Sequence, residues 1–250
     1  MSKDTITIIN NRDGKEYEFN ILDASVGPSV VDISSFYKDT GMFTYDEGYT
    51  STASCESKIT YIDGGAGKLM YRGYDISYMA KEKSFLDTAY LLLNGELPTK
   101  EELKEFRMEM NKRSFVREVI RKLYDSFPDR AHPMAILSAG VSALSTIYFN
   151  HLDINTPEEY TEMANRIVAK VPTLAAMSYR YSNGMPIIYP DLDKTFTENF
   201  LYMMRAYPHK HVDLRPIEVK ALDTIFTLHA DHEQNASTTA VRNLASTMAH

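Results

Sequence analysis

The spacing of hydrophobic and polar positions changes near residue 73, and the change divides the chain. Before it, Thr5-Ile6-Thr7-Ile8-Ile9 and Tyr17-Glu18-Phe19-Asn20-Ile21 alternate with a period of two around Asn11-Arg12-Asp13-Gly14. Successive side chains of an extended strand point to opposite faces. The pattern therefore predicts two strands, joined by a turn of residues that tolerate positive φ. Residues 42–45, 58–62 and 68–71 read as further strand pieces, and the three glycines of Asp63-Gly64-Gly65-Ala66-Gly67 turn the chain between the last two.

Beyond Gly73 the apolar positions recur every three or four residues. Phe85, Ala89, Leu92 and Leu93 share one helical face that stops at Asn94-Gly95. Thr99 followed by Glu102 is in capping-box register and predicts a helix running to about residue 112. Further helices are predicted over 116–127, 134–149, 157–171, 172–181, 196–204 and from 216 to about 232. The Ala, Ser and Gly content of 134–149 predicts close helix-to-helix approach. The expected architecture is mainly α: a β-rich segment over 1–72, then a helical domain over 73–250.

Composition narrows the function classes. The 250 residues are 44% hydrophobic and 24% charged, the balance of a folded globular chain. No apolar run reaches the ~20 residues that span a bilayer, and Met1-Ser2-Lys3-Asp4-Thr5 lacks a secretory core, so a cytoplasmic protein without a membrane partner is expected. The net charge of −7 argues against nucleic acid, which recruits clustered Lys and Arg. The lone Cys55 precludes an internal disulfide and a cysteine-based zinc site, and it reads as a buried structural residue.

The densest chemistry lies in Leu228-His229-Ala230-Asp231-His232-Glu233-Gln234-Asn235-Ala236-Ser237-Thr238. Leu222, Ile225, Phe226, His229 and His232 follow one helix face, so both imidazoles are expected to be largely buried and in need of partners. Asn235, Ser237 and Thr238 offer caps for another helix through Val241 and Leu244, and the spacing of Met248 leaves that helix uncapped at His250. Two histidines at i, i+3 beside carboxylates admit zinc, but the metalloprotease pattern HExxH is absent, and no metal is expected.

The string from His229 to Ser237 resembles the oxaloacetate-site segment of citrate synthases. Tyr61-Ile-Asp-Gly-Gly-Ala-Gly-Lys-Leu-Met-Tyr-Arg-Gly-Tyr74 resembles that family's strand-loop-strand signature, and Tyr90-Leu-Leu-Leu-Asn-Gly-Glu-Leu-Pro98 its early helix. Residues 43–58 look like the N-terminal extension of the type II enzymes of Gram-negative bacteria, and His132-Pro-Met134 and Lys170-Val-Pro-Thr173 match as well. The resemblance implies the citrate synthase fold, with residues 73–250 forming part of the large helical domain and the small domain missing. It implies condensation of acetyl-CoA, the co-substrate, with oxaloacetate, the first step of the tricarboxylic acid cycle, without a further cofactor.

Carried over residue by residue, the resemblance makes His232 the ligand of oxaloacetate or citrate. Asn235 and Ser237 support the site, and His229 stands behind it. The family's catalytic histidine, second histidine and catalytic aspartate match nothing in these 250 residues, so no catalytic residue is expected here and the chain alone is expected to be inactive. A 2-methylcitrate synthase and a non-catalytic truncated paralogue are the alternatives. Type II members form dimers and hexamers, and some are inhibited by NADH. The matching positions here are Lys112, Arg113, Ser114, Tyr148, Arg166 and Lys170, with His209 where some members carry a reactive cysteine. The same charges also read as a solvated helix end (Lys112, Arg113) and an exposed i, i+4 face (Arg166, Lys170).

Overall fold

The computed structural model describes residues 4–128, 130–151, 156–209 and 212–246. They fall into two compact units: residues up to Gly73 with those from Glu233 onward, and Tyr74–His232.

In the first unit, β1 (Thr5–Asn10) and β2 (Lys15–Leu22) form an antiparallel hairpin in register Asn10↔Lys15, closed by Gly14 at φ 71. The short β3 (Val30–Val31) adds to β2. Phe19, the buried position of β2, meets Phe36 of α1 (Phe36–Thr40) at 5.3 Å between ring centroids. A second hairpin pairs β4 (Thr60–Asp63) with β5 (Lys68–Tyr71), and the Asp63 carboxylate accepts from the Ala66 N–H across the glycine-rich turn.

Two expectations fail in this unit. Residues 42–45 form no strand, and Phe43 and Tyr45 are exposed. Cys55 is exposed as well, not buried. Phe43 instead stacks on Tyr37, ring centroids 4.2 Å apart, and Cys55 lies in a polar stretch, 46–58, that forms no strand.

The second unit is helical. After α2 (Ile76–Glu82), α3 (Phe85–Asn94) carries a Ser84/Asp87 capping box and ends on Gly95 at φ 97, a left-handed cap that suits glycine. Next, α4 (Lys100–Arg113) starts on the Thr99/Glu102 box, followed by α5 (Glu118–Tyr124) and α6 (Pro133–Ile147). Val116, Ile120, Tyr124, Ile136, Leu144, Leu174 and Met177 form one core, and Leu86, Ala89, Phe106, Met110 and Ala169 a second.

Helix α7 (Pro157–Ser182) contributes to both cores and runs unbroken through Pro172. The two helices expected over 157–181 are therefore one. An interior proline costs roughly 3 kcal/mol, and burial of Ala169, Lys170, Thr173, Leu174, Ala176 and Met177 around it outweighs that cost.

Helix α8 (Phe196–Arg205) and α9 (Pro216–Leu228) complete the unit. Asp223 of α9 ties three helices together: it accepts from the Phe85 N–H at the start of α3 (3.0 Å) and from the Thr197 hydroxyl of α8 (2.7 Å). Phe226 stacks edge-on against Phe85 and Phe200. In the first unit α10 (Ala236–Ser246) begins on Asn235, whose carbonyl and side-chain oxygen accept from the N–H groups of Thr239 and Thr238. The uncapped end expected at Met248 and His250 lies outside the described residues.

Candidate functional site

Helix α9 ends at Leu228, four residues earlier than its apolar spacing predicts. His229 is the cap residue, at φ −109 and ψ 11, and its N–H closes on the Ile225 and Thr227 carbonyls. The helical register stops there, so His229 and His232 leave the apolar face. Both are exposed, and the expected burial does not occur. Their rings lie edge to face at 5.6 Å.

The His229 Nδ1 sits 2.9 Å from the Ile225 carbonyl. A carbonyl only accepts, so Nδ1 carries the proton and Nε2 of the neutral ring is left as an acceptor. Glu233 follows at φ 50, a left-handed conformation uncommon outside glycine, and turns the chain sharply after His232. Asn235 caps α10, and Ser237 lies exposed in its first turn. The structure thus brings His229 and His232 together within the helical unit, while Asn235 and Ser237 open α10 in the other. Among the described residues, no three or more His, Cys, Asp or Glu side chains converge in a way that suits a metal ion.

The second candidate group is more tightly built. Arg166 of α7 stacks over the Tyr148 ring, its guanidinium carbon 4.5 Å from the centroid, and the Lys170 ammonium lies 5.7 Å from the same centroid. Lys170 is 5% exposed and donates to the Arg113 carbonyl (2.6 Å) and the Phe115 carbonyl, closing the C-terminal end of α4 from outside. The exposed-face reading of Lys170 is thereby corrected: its neighbour one turn earlier, Arg166, is partly covered too. Ser114 is buried, its hydroxyl donating to the Asn111 carbonyl and its carbonyl accepting from Thr173. Lys112 stays on the rim, paired with Glu109 at 2.9 Å.

Five of the six residues expected for a nucleotide thus adjoin one another around Tyr148, and Lys112 lies beside Arg113. His209 instead faces Tyr207, ring centroids 6.4 Å apart.

The sequence reading missed two participants. Glu162 bridges Arg113 and Arg166, and Arg117 adds positive potential at Lys170. The i, i+4 spacing of Glu162 to Arg166 was a usable signal for the first.

Burial, reinforced by Arg166, Arg113 and Arg117, pushes the Lys170 ammonium down to about 8. The unfolded chain keeps its lysines near ~10.4, so between about pH 8 and 10.5 the unfolded state binds more protons and the Lys170 contribution to stability rises with pH. Relative to Lys170→Met, the wild-type chain is expected to gain about 2 kcal/mol across that window in urea titrations. That is less than the full shift implies, because the two accepting carbonyls favour the charged form. A difference that stays flat with pH would remove this assignment.

Comparison with known proteins adds the relatives. Residues 48–250 match the family model described as citrate synthase, C-terminal domain. The chain is 50% identical over 255 residues to a citrate synthase of Helicobacter pylori (strain J99), covering 98% of this chain and 60% of that protein. It thus spans about 60% of the length of that curated relative. Among solved structures, the citrate synthase of Thermotoga maritima superposes with a TM-score of 0.69 at 32% identity, over 82% of this chain and 52% of that one. That of Pyrobaculum aerophilum gives 0.68 at 31% identity, over 92% and 54%.

Proposed function

Because this chain belongs to the citrate synthase family, we propose that the protein it forms condenses acetyl-CoA with oxaloacetate and water to give citrate and CoA. The methyl carbon of the thioester loses a proton, and the resulting enolate attacks the oxaloacetate ketone. Water then cleaves the thioester and releases the thiol. His232 is the residue of this chain that holds oxaloacetate. An exposed imidazole donates to a carboxylate or a ketone oxygen readily, and it does so most strongly as the cation. His229, its tautomer set by the Ile225 carbonyl, stands behind it, and Asn235 and Ser237 support the segment. The base and the acid of the reaction are not among these 250 residues. No further cofactor takes part.

The observation that carries this reading is the 50% identity to a citrate synthase sustained over 98% of the chain. The finer assignment is a type II, cytoplasmic enzyme that assembles as dimers or hexamers. It rests on the resemblance of residues 43–58, and the small-residue face of α6 is compatible with close packing between copies. NADH inhibition is supported by the arginine, lysine and tyrosine group around Tyr148, which suits a pyrophosphate beside an aromatic base.

Thiol release tests the proposal. The protein as the cell makes it is expected to turn over acetyl-CoA with oxaloacetate faster than propionyl-CoA and to slow when NADH is added. The 250 residues alone are expected to show no turnover. A preference for propionyl-CoA would favour the 2-methylcitrate reading, and no thiol release from either would favour the non-catalytic one.

A further inference from the structure

The cations around Tyr148 already hold an anion, and it is part of the chain. Glu162 Oε1 accepts from Arg166 Nε (2.7 Å) and Arg113 Nε (3.2 Å), and Oε2 accepts from Arg113 Nη2 (2.8 Å). One carboxylate therefore takes the two-pronged face of Arg113 and ties it to Arg166. All three side chains are only a fifth to a third exposed (24%, 30% and 21% for Arg113, Glu162 and Arg166). The remaining Arg113 nitrogen is taken by Glu109, and Lys170 by two carbonyls. Arg113, Arg117 and Arg166 all add positive potential at Lys170, while the carboxylates paired with Arg113 and Arg166 among the described residues are Glu109 and Glu162, a local surplus of cations in a chain of net charge −7. The Arg166 Nη1 is buried with no partner among the described residues.

We propose that Glu162 is a built-in counter-anion that occupies the guanidinium face a pyrophosphate-class ligand needs, so that such a ligand binds only by displacing this carboxylate. The proposal rests on reading this group as a nucleotide site and names what regulates it. A phosphate or pyrophosphate oxygen pair makes the same forked contact with Arg113 that Glu162 makes now, and the two cannot do so together. Lys170 is held in place whether or not the carboxylate is there, because its partners are the Arg113 and Phe115 carbonyls, and Arg166, which loses the charge of its Glu162 partner, keeps its stack on the Tyr148 ring. Removing the charge of Glu162 while keeping its shape then opens the face without dismantling the site.

The test uses inorganic pyrophosphate and calorimetric titration of the 250-residue chain and its variants at one ionic strength. Glu162→Gln is expected to bind at least tenfold more tightly than wild type, and the gain is expected to vanish when Arg113→Gln is added. Glu109→Gln removes one negative charge from the same arginine but leaves the bridge intact, so it is expected to gain much less. If Glu109→Gln gains as much as Glu162→Gln, net charge explains the effect and the counter-anion role falls. If wild type and Glu162→Gln bind equally, and Arg113→Gln abolishes both, the role falls while the nucleotide site stands. If neither binds at millimolar pyrophosphate although both melt as folded proteins, the nucleotide site falls and the proposal with it.

Discussion

Arg180→Met is expected to lower unfolding free energy by roughly 3–5 kcal/mol, the range seen when a buried charged hydrogen-bonding residue is cut away from its partners. Arg180 is wholly buried near the C-terminal end of α7. Its Nε donates to the Pro186 carbonyl, and its Nη1 to the Met203 and Met204 carbonyls at 3.1 Å each. Met203 and Met204 lie in the last turn of α8, where carbonyls have no helical partner and the helix dipole leaves partial negative charge. The guanidinium serves there as a cap supplied from another helix. Tyr207 lies under it at 5.7 Å from the ring centroid, and burial pushes the guanidinium pKa down. Methionine fills much of the volume and donates nothing, so up to three carbonyls lose their bond, at about 1–3 kcal/mol each before relaxation. Lysine reaches with one ammonium where arginine forks, and Arg180→Lys is expected to fall between the two. Urea titrations give the order wild type, lysine, methionine. Equal stability of the methionine variant would show that water satisfies these carbonyls.

Arg180 also shows what a sequence hides. It sits in Ser178-Tyr179-Arg180-Tyr181, where nothing distinguishes it from a surface charge; its burial depends on a loop and on a helix that begins sixteen residues later. Lys170 and Glu162 are partly of the same kind, because the Arg113 and Phe115 carbonyls on the one and the Arg113 guanidinium on the other come from far along the chain, whereas Arg166 comes from their own helix. Features set within a few residues were legible. The Thr99/Glu102 box, the Gly95 cap and the hairpin turn at Gly14 all form as the local chemistry requires. The longer extrapolations failed in both directions. Pro172 was read as a break, yet packing on two cores carries the helix through it. The apolar spacing continued to His232, yet the helix stops at Leu228, because register alone does not say where backbone partners run out. The histidine motif could be recognised as a string, but its exposure could not be inferred from periodicity.

The other large stability effect is expected at Gly140, where α6 meets the buried Tyr124 side chain. A Cβ at this position would lie 2.2 Å from the Tyr124 hydroxyl oxygen and 2.9 Å from two of its ring carbons. Tyr124 is 1% exposed and locked on its far side: its hydroxyl donates to the Leu174 carbonyl at 3.4 Å and accepts from Ser178 at 3.3 Å. The ring cannot swing into solvent, and the backbone of α6 must move instead. Over-packing a filled core costs about 1–3 kcal/mol for added methylenes, and a contact this short on a rigid ring lies at or beyond the top of that range. Gly140→Val adds two further methyl groups, and its β-branching limits what an alanine would regain in helix propensity, so a loss of roughly 3–4 kcal/mol is expected. Gly140→Ala is milder, offset by the ~1 kcal/mol advantage of alanine over glycine within a helix. A double-mutant cycle separates clash from propensity: Tyr124→Phe deletes the atom at 2.2 Å but keeps the ring, so Gly140→Ala is expected to cost less in that background than in wild type. If the cost is the same in both, helix α6 shifts away from Tyr124 as a rigid body and the hydroxyl is not what requires glycine here.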